Sequence, residues 1–419
     1  MRFFLRLHVL DRVAIGLLAI GLLCVATGVL PTAQASDAMV RIAPLLAFLA
    51  TVIVLAELTS QAQVFDVLAA RMARAGRGSY PLLFLLCVAF ASVTTIALNL
   101  DTTAVLLTPV MLALATRVGI APVPLAMTTV WLANTASLLL PVSNLTNLLA
   151  ANRVALSPVE LAGRMWAPQL AAVLVTMACL WCFFWRAARR ESPGLPDTDA
   201  GADTGGGATA LGTGAARYTA PEPPAPADLV LFRACALACA GFLLAILVAD
   251  VPLWMASATA AAVVVAAFAL RDRAALRISL IPWRLLVMVP GMFLVVEAVN
   301  AHGLHELLAA AIGRDGDTLG LFRAAAVGGG LSNVLNNLPV YLAGEAAVPA
   351  ANHDQLLALL IGVNAGPVIT PWASLATLLW YERCHAYGVR VPVARLMGTG
   401  AVLAVCAVAA SVGALALTR

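Results

Sequence analysis

The sequence predicts an all-α integral membrane protein made of two inverted-topology repeats, each with a re-entrant hairpin and a broken helix. Apolar residues occupy 62% of the 419 positions, charged residues occupy 11%, and the mean hydropathy is +0.95. These values lie well outside the range of soluble globular domains. Apolar runs of roughly 18 residues or more, each long enough to span a bilayer, recur along the chain. Similar polar interruptions occur in both halves, which indicates an internal repeat.

The first apolar run, residues 13–30, is predicted to be an uncleaved membrane-spanning helix. Arg2, Arg6 and Arg12 precede it and Ala33-Gln34-Ala35 follows it, a pattern that imitates a cleaved signal peptide. The run is nevertheless long enough to span, and more spans follow, so we favour a retained helix. Because basic residues concentrate on the cytoplasmic side, the three arginines place the N-terminus in the cytoplasm.

The remaining elements follow from apolar length and from arginine position. A span near 41–58 returns to the cytoplasm, where the arginine-bearing segment 62–77 is expected to lie along the membrane surface. Further spans are predicted near 229–249, 252–270 and 285–301, the last leading to the outside. The intervening stretch is rich in Gly, Pro, Ala, Thr and Asp, which predicts a disordered cytoplasmic linker. The chain therefore divides into a first membrane repeat (1–187), the linker (188–227) and a second membrane repeat (228–419).

Two internal matches support the repeat. Residues 134–149 align without a gap on 364–379, an offset of 230 that pairs Asn134 with Asn364. At an offset of 240, Glu57 aligns on Glu297 and Arg74 on Arg314. The first copy of this second match ends in basic residues and the second in acidic ones, as expected if they lie on opposite sides of the membrane. Chance similarity between Ala- and Leu-rich helices is the alternative.

Each half carries one more polar interruption, and we expect it to be the tip of a re-entrant hairpin. The first tip is Asn99–Thr103, within residues 79–117, and the second is Ser332–Pro339, within residues 320–350. The first hairpin must enter and leave on one side, because the following segment has to cross outward. The alternative is a pair of kinked spanning helices. Backbone groups freed by such interruptions are tolerated only where protein or water satisfies them.

The two tips and the two interrupted helices are predicted to meet near the midplane and form a substrate site. Their short polar side chains offer hydrogen-bond donors and acceptors. The candidate substrate- or ion-binding residues are Asn99, Asp101, Thr102, Thr103, Asn134, Thr135, Ser137, Ser143, Asn144, Asn336, Asn337, Asn364, Gly366, Thr370 and Ser374. No Arg occurs within 80–115, 119–151 or 325–381, and the chain has no Lys, so these segments offer an anion no cationic clamp.

Asp101 is the candidate proton carrier. It is the carboxylate deep in the first apolar hairpin, and ionisable groups at membrane depth are functional candidates by default. The alternatives are a Na⁺ ligand or a hydrogen-bond acceptor that only stabilises the tip. Asn337 is expected to stand opposite it in the second half. Glu57 and Glu297, near the ends of their spans, are expected to form structural pairs or to reach the interface, and Glu345 to face the vestibule of the second hairpin.

Several segments resemble the arsenical pump membrane protein family, arsenite/antimonite permeases in the ion transporter superfamily. The motifs are 100–109, 133–137, 142–145, 336–339, 366–371 and 374–380. The resemblance implies extrusion of trivalent arsenic or antimony hydroxides against protons across the plasma (cell inner) membrane, by an elevator-like motion in a homodimer. It also implies assistance, in some members, from a cytoplasmic ATPase subunit. Two positions depart from the family pattern: Leu100 replaces a common Asn, and Val368 replaces a common Lys, which could change the substrate or the coupling ion.

Two other functions are compatible with parts of the sequence. A sodium- or proton-coupled carrier of dicarboxylates, or of another small inorganic solute, comes second because dicarboxylates need compensation of their charge. A membrane-embedded enzyme comes third, because neither His nor paired Asp occurs at depth. The chain lacks the Gly-Lys motif of a phosphate-binding loop, so we expect no ATP hydrolysis by the chain itself. We expect the lipid bilayer and a small solute as partners, no nucleic acid, and no cofactor beyond a coupling ion, H⁺ or Na⁺.

Overall fold

The computed structural model describes residues 9–97, 99–186, 218, 225–248, 251–313, 315–349 and 351–419. The predicted linker 188–227 lies almost wholly outside the described residues, as do Arg2, Arg6 and Arg314. In the part of the chain that is described, the regular structure is helical, and seven helices are long and apolar enough to cross a membrane. This confirms the predicted class, an all-α multi-pass membrane protein.

The first half contains eight helices between its described ends. They are α1 (Val9–Ala26), α2 (Thr32–Gln61), α3 (Val64–Ala75), α4 (Tyr80–Ala97), α5 (Leu100–Val118), α6 (Pro122–Thr135), α7 (Leu145–Arg153) and α8 (Pro158–Trp185). Helix α5 includes a π-helical turn at Thr103–Leu107. The span predicted near 41–58 belongs to a longer helix that continues through Pro44, since the missing bond is confined to one turn.

The second half repeats this order, with one additional helix at its start. Its helices are α9 (Leu229–Val248), α10 (Leu253–Arg271), α11 (Trp283–Val299), α12 (His305–Ile312), α13 (Thr318–Leu335), α14 (Asn337–Ala347), α15 (His353–Ala365), α16 (Leu375–Ala386) and α17 (Val393–Thr418). A kinked turn, Asn300–Leu304, joins α11 to α12, and within it His302 and Gly303 depart from helical backbone angles. The predicted spans near 229–249, 252–270 and 285–301 correspond to α9, α10 and α11.

Contacts between the halves are reciprocal. Helix α1 packs on α11, and α10 packs on α2, while α8 and α17 pack against each other. The α1–α11 contact is close because Gly21 and Gly291 face the partner helix: a Cβ on Gly291 would lie 2.4 Å from the Leu18 nitrogen. Small residues at such crossings let helix backbones approach in a membrane. The two halves thus interlock through equivalent elements.

Helix ends also coincide between the halves. The residues that end α2 and α11 with a left-handed backbone, Gln63 (φ 63°) and Gly303 (φ 103°), lie 240 positions apart. Helices α6 and α15 end, and α7 and α16 begin, 230 positions apart. Both offsets are the ones that the sequence match gives. The structure therefore repeats one architecture twice; the opposite orientation of the two copies across the membrane stays a prediction.

Both predicted hairpins end inside the protein. Helices α4 and α5 meet at Asn99, and α13 and α14 meet at Asn336; these residues are 4% and 2% exposed. Helix α14 has 11 residues and measures about 16 Å, too short to cross the roughly 30 Å hydrocarbon core. Helices α4 and α5 are each long enough to span, but their turn is buried against the first interrupted helix. This geometry favours re-entrant hairpins over spanning pairs.

Candidate functional site

The two interrupted helices are broken at equivalent places. The first break separates α6 from α7, the second separates α15 from α16, and Pro141 and Pro371 lie within them. Each break ends in a side chain that caps the next helix. Asn144 Oδ1 accepts a bond from the Thr146 N–H (3.2 Å), and Ser374 Oγ accepts one from the Thr377 N–H (3.1 Å). Such caps satisfy N–H groups that a helix start leaves without an intrahelical partner.

Asn134 and Asn364 each donate across the boundary between the halves. Asn134 Nδ2 donates to Thr377 Oγ1 (3.3 Å), and Asn364 Nδ2 donates to Asn147 Oδ1 (2.6 Å). Since Asn147 and Thr377 are also 230 positions apart, the two bonds are equivalent. All four side chains are buried. We call this pair of bonds the asparagine clasp.

The clasp is symmetric in its amide nitrogens and asymmetric in its amide oxygens. Asn364 Oδ1 accepts from Asn144 Nδ2 (2.9 Å) and from Thr146 Oγ1 (2.7 Å). Asn134 Oδ1 is buried and has no partner, although its Nδ2 donates to the Val130 carbonyl (2.9 Å), which fixes the orientation of the amide. The positions equivalent to Asn144 and Thr146 are Ser374, which is shorter, and Ala376, which has no hydroxyl.

The tip of the second hairpin is tied to the second break. Asn333 Nδ2 donates to the Gly366 carbonyl (2.9 Å), and the Thr370 hydroxyl donates to the Asn333 carbonyl (2.8 Å). Asn336 Nδ2 donates to the Trp372 carbonyl (2.9 Å), while the backbone N–H of Asn337 donates to the Ala373 carbonyl (2.9 Å). These bonds satisfy backbone groups that the break frees at depth.

The tip of the first hairpin is held more loosely. The Ser143 hydroxyl donates to the Ile96 carbonyl (2.8 Å), which joins this tip to the first break. Asn99 caps α5 by accepting from the Thr102 N–H (2.7 Å), and the Thr103 hydroxyl donates to the Asn99 carbonyl (2.8 Å). The hydroxyl oxygen of Thr102 is buried without a partner.

Asp101 is the second residue of α5 and lies two positions before the π-helical turn. It is half-buried, and its Oδ1 is buried without a hydrogen-bond partner. A buried polar atom that no protein group satisfies needs another explanation, and ligands or ions are among the common ones. The start of α5 packs against both α6 and α16, the helices that carry Asn134 and Ala376. Turns of π-helix are frequent at functional sites.

That Asn337 stands opposite Asp101 stays a prediction. The capping residues of the two hairpins, Asn99 and Asn336, set the register of the repeat, and this register makes Leu338 the counterpart of Asp101 and Pro339 the counterpart of Thr102. The second hairpin therefore offers an apolar side chain where the first offers a carboxylate.

Two predicted site residues already have hydrogen-bond partners within the protein. The Thr135 hydroxyl donates to the Trp131 carbonyl (2.8 Å) and accepts from Thr176 (2.8 Å), and the Ser137 hydroxyl donates to the Asn134 carbonyl (2.7 Å). Gly366 has a packing role: a Cβ there would lie 2.6 Å from the Cα of Gly329. These three residues support the site and offer no free group to a solute.

A family model described as CitMHS, citrate transporter, matches residues 5–377. The chain belongs to this family. Two curated relatives are named arsenical pump membrane protein: one from Escherichia coli is 29% identical over 386 residues, and one from Yersinia enterocolitica is 29% identical over 388 residues. Each alignment covers 87% of this chain and 84% of the relative. The crystal structure of the Alcanivorax borkumensis YdaH transporter matches with a TM-score of 0.46 and 15% identity, over 92% of this chain and 87% of that one.

As a CitMHS family member the chain is a multi-pass membrane transporter, and the resemblance drawn from its motifs is confirmed. The structure adds two residues that sequence reasoning left out of the site, Thr146 and Thr377. The 230-residue offset already pairs Thr377 with Asn147, which lies in the matched segment 134–149, so the signal for Thr377 was present in the sequence. Asn333, in the predicted second tip, holds the second break.

Proposed function

We propose that this CitMHS family member is a secondary active transporter that extrudes arsenite and antimonite as neutral hydroxides in exchange for protons. One observation carries the proposal: three buried oxygens in the first half, on Asp101, Thr102 and Asn134, have no protein partner. Their second-half counterparts are Leu338, Pro339 and an Asn364 that is fully bonded. These three unsatisfied oxygens therefore have no unsatisfied counterpart at the equivalent positions of the second half.

The chemistry of these oxygens fits a hydroxide solute. Trivalent arsenic and antimony hydroxides carry several O–H donors and are uncharged near neutral pH. Asn134 Oδ1 and an ionised Asp101 accept hydrogen bonds, and the Thr102 hydroxyl accepts or donates. The surrounding segments 80–115, 119–151 and 325–381 contain no Arg, so an anion would lack a cationic partner there. The name of the curated relatives, arsenical pump membrane protein, supports an arsenic solute.

Asp101 is the proposed proton carrier. A solute bound to the ionised carboxylate would hold it in that form, whereas a proton taken up after solute release would discharge it for the return step. Such a carboxylate makes solute and proton compete for one site, which is the minimum that exchange requires. Na⁺ is the second candidate for the coupling ion. A homodimer and a cytoplasmic ATPase subunit are proposed on the resemblance alone.

A carboxylate carrier is the second candidate function, and the description of the matching family model favours it. Both are tested by expressing the chain in arsenite-sensitive cells and measuring the accumulation of arsenite, antimonite, citrate and succinate. The proposal predicts lower arsenite and antimonite with unchanged carboxylates. Unchanged arsenic accumulation at verified membrane expression refutes it, and altered citrate or succinate then favours the second function. Everted vesicles with an imposed pH gradient test the coupling ion.

A further inference from the structure

One ion pair joins the two halves at the side predicted to face the cytoplasm. Glu57, near the end of α2, lies 3.0 Å from Arg383 in α16, measured from Oε2 to Nη1. The Arg383 side chain is 8% exposed and that of Glu57 is 33% exposed. A pair this deeply placed depends on both partners, because removing one leaves a poorly solvated charge. Glu57 thus forms the structural pair that was one of its two expected roles.

Both members of this pair have a charged counterpart in the repeat. The 240-residue offset relates Glu57 to Glu297 in α11, and the 230-residue offset relates Arg383 to Arg153 in α7. Within the described residues no ion pair joins Glu297 to Arg153. Arg153 is exposed instead, and lines a small cavity together with Glu345. The residues of this ion pair therefore occur in both repeats, but in this structure only the Glu57–Arg383 pair is formed.

The two sides also differ in their cavities. Glu57 and Arg383 line a cavity of about 510 Å³ whose other charged groups include Asp272, Arg277 and Glu382. The cavity that Arg153 lines on the opposite side has no space for a water molecule. Of these two cavities, the roomier one thus lies beside the pair that is formed. The loops grouped around each cavity are those that span counting assigns to the cytoplasm and to the outside, respectively.

We infer that Arg153 and Glu297 form the equivalent ion pair in the opposite state of the transport cycle, when Glu57 and Arg383 separate. In a transporter made of inverted repeats, the two halves exchange their conformations as access alternates. A contact stabilises a state only if it is made in that state and lost in the other. Two copies of one ion pair that form in turn satisfy this condition on both sides. The inference concerns how the protein moves, and it does not depend on which solute the protein carries.

The geometry gives the two pairs a common task. Each links a helix that follows a break, α7 or α16, to a spanning helix of the other half, α11 or α2. The paired helices therefore report the relative position of the two halves. The free energy that a half-buried ion pair contributes falls between the small contribution of exposed pairs and the larger one of buried pairs. Each pair should therefore change the ratio of the two states by about tenfold.

Thiol cross-linking in membranes with a short bifunctional maleimide tests the inference, because an Arg–Glu pair can hold its two Cα atoms farther apart than a disulfide spans. Two variants in a cysteine-free background, E57C/R383C and E297C/R153C, each place one cysteine in either half, and a protease site inserted in the linker separates halves that are not joined. We expect both variants to cross-link, and a variant carrying all four cysteines to form one cross-link or the other, never both in one molecule. Cross-linking of E57C/R383C shows that the background folds.

Single substitutions provide the control. Arg153→Ala removes only the external pair and should raise the rate of E57C/R383C cross-linking about tenfold. Arg323→Ala removes a cation whose partner Asp315 is exposed and should leave that rate unchanged. The inference is overturned if E297C/R153C stays unlinked while E57C/R383C links, if both cross-links form together, or if Arg153→Ala and Arg323→Ala have the same effect.

Discussion

Replacing Asn134 or Asn364 by alanine should distinguish an effect on stability from an effect on transport. Asn364→Ala removes three buried hydrogen bonds, with lengths of 2.9, 2.7 and 2.6 Å, and leaves Asn144, Thr146 and Asn147 each short of a partner. A buried polar group left unsatisfied costs about 1–3 kcal/mol. Three such groups give an upper range of roughly 3–9 kcal/mol, and relaxation of the neighbouring side chains brings the expected loss of unfolding free energy to about 3–5 kcal/mol.

Asn134→Ala has a different balance. It takes one partner from Thr377, whose hydroxyl still pairs with Ser374 (2.8 Å), and it removes the unpartnered oxygen itself. The expected loss is about 1 kcal/mol beyond the cavity term that both substitutions share. Asn134→Ala should therefore remain folded yet lose arsenite export, whereas Asn364→Ala should lose both.

The assay is thermal unfolding of the detergent-purified variants, followed by size-exclusion chromatography, alongside arsenite uptake into everted vesicles. We expect a gap of roughly 3–5 °C between the two melting temperatures, with Asn364→Ala the lower. Equal melting temperatures would refute the asymmetry of the clasp. Wild-type transport by Asn134→Ala would show that the free oxygen is no solute contact, even if the stability result holds.

Three further substitutions test other parts of the site. Asp101→Asn keeps the shape of the side chain and removes its charge, so vesicle transport should stop responding to an imposed pH gradient; a retained response would end the proton-carrier role. Ala376→Thr should donate to the free oxygen of Asn134 and lower arsenite transport at least about tenfold without lowering the melting temperature, by analogy with the bonded half. Gly362→Val should lower the melting temperature because a Cβ at 362 already meets the Ala325 carbonyl oxygen at 2.2 Å, and overpacking costs about 1–3 kcal/mol; an unchanged value would mean that α13 and α15 separate easily.

Sequence periodicity and internal alignment anticipated the repeated architecture for a physical reason. A break at membrane depth needs Pro, Gly, Asn or Ser to satisfy or omit backbone bonds, and these residues are conspicuous in apolar segments. Asn134, Asn364 and the helix starts at Leu145 and Leu375 were therefore placed correctly by the 230-residue offset. The counterpart of Asp101 could not be read from polar residues alone, because register at the hairpin tips is set by where the helix cap lies and not by residue type.

Which buried side chains find hydrogen-bond partners could not be predicted from the sequence in the same way. That Asn364 is fully bonded and Asn134 is not depends on Thr146 and Ala376, two residues that a search for polar clusters ranks as ordinary or ignores. The partner of Glu57 could not be predicted either, because Arg383 comes from the other half and lies just beyond the arginine-free segment 325–381. Both facts arise from packing between halves.

Asn134 and Asn364 have different roles, because a structural contact and a solute contact must meet opposite requirements during the transport cycle. The Asn134–Thr377 and Asn364–Asn147 bonds hold the two breaks together, and both are present in one structure, so they can persist while the halves exchange conformations. A solute contact has the opposite requirement, because it must be vacant in the empty protein and filled in the loaded one. An oxygen already bonded to Thr146 cannot do this, whereas the oxygen of Asn134, which has no partner, can. Under the proposed function, the lack of a hydroxyl at position 376, the counterpart of Thr146, leaves this oxygen free to bind solute in the half that also carries Asp101.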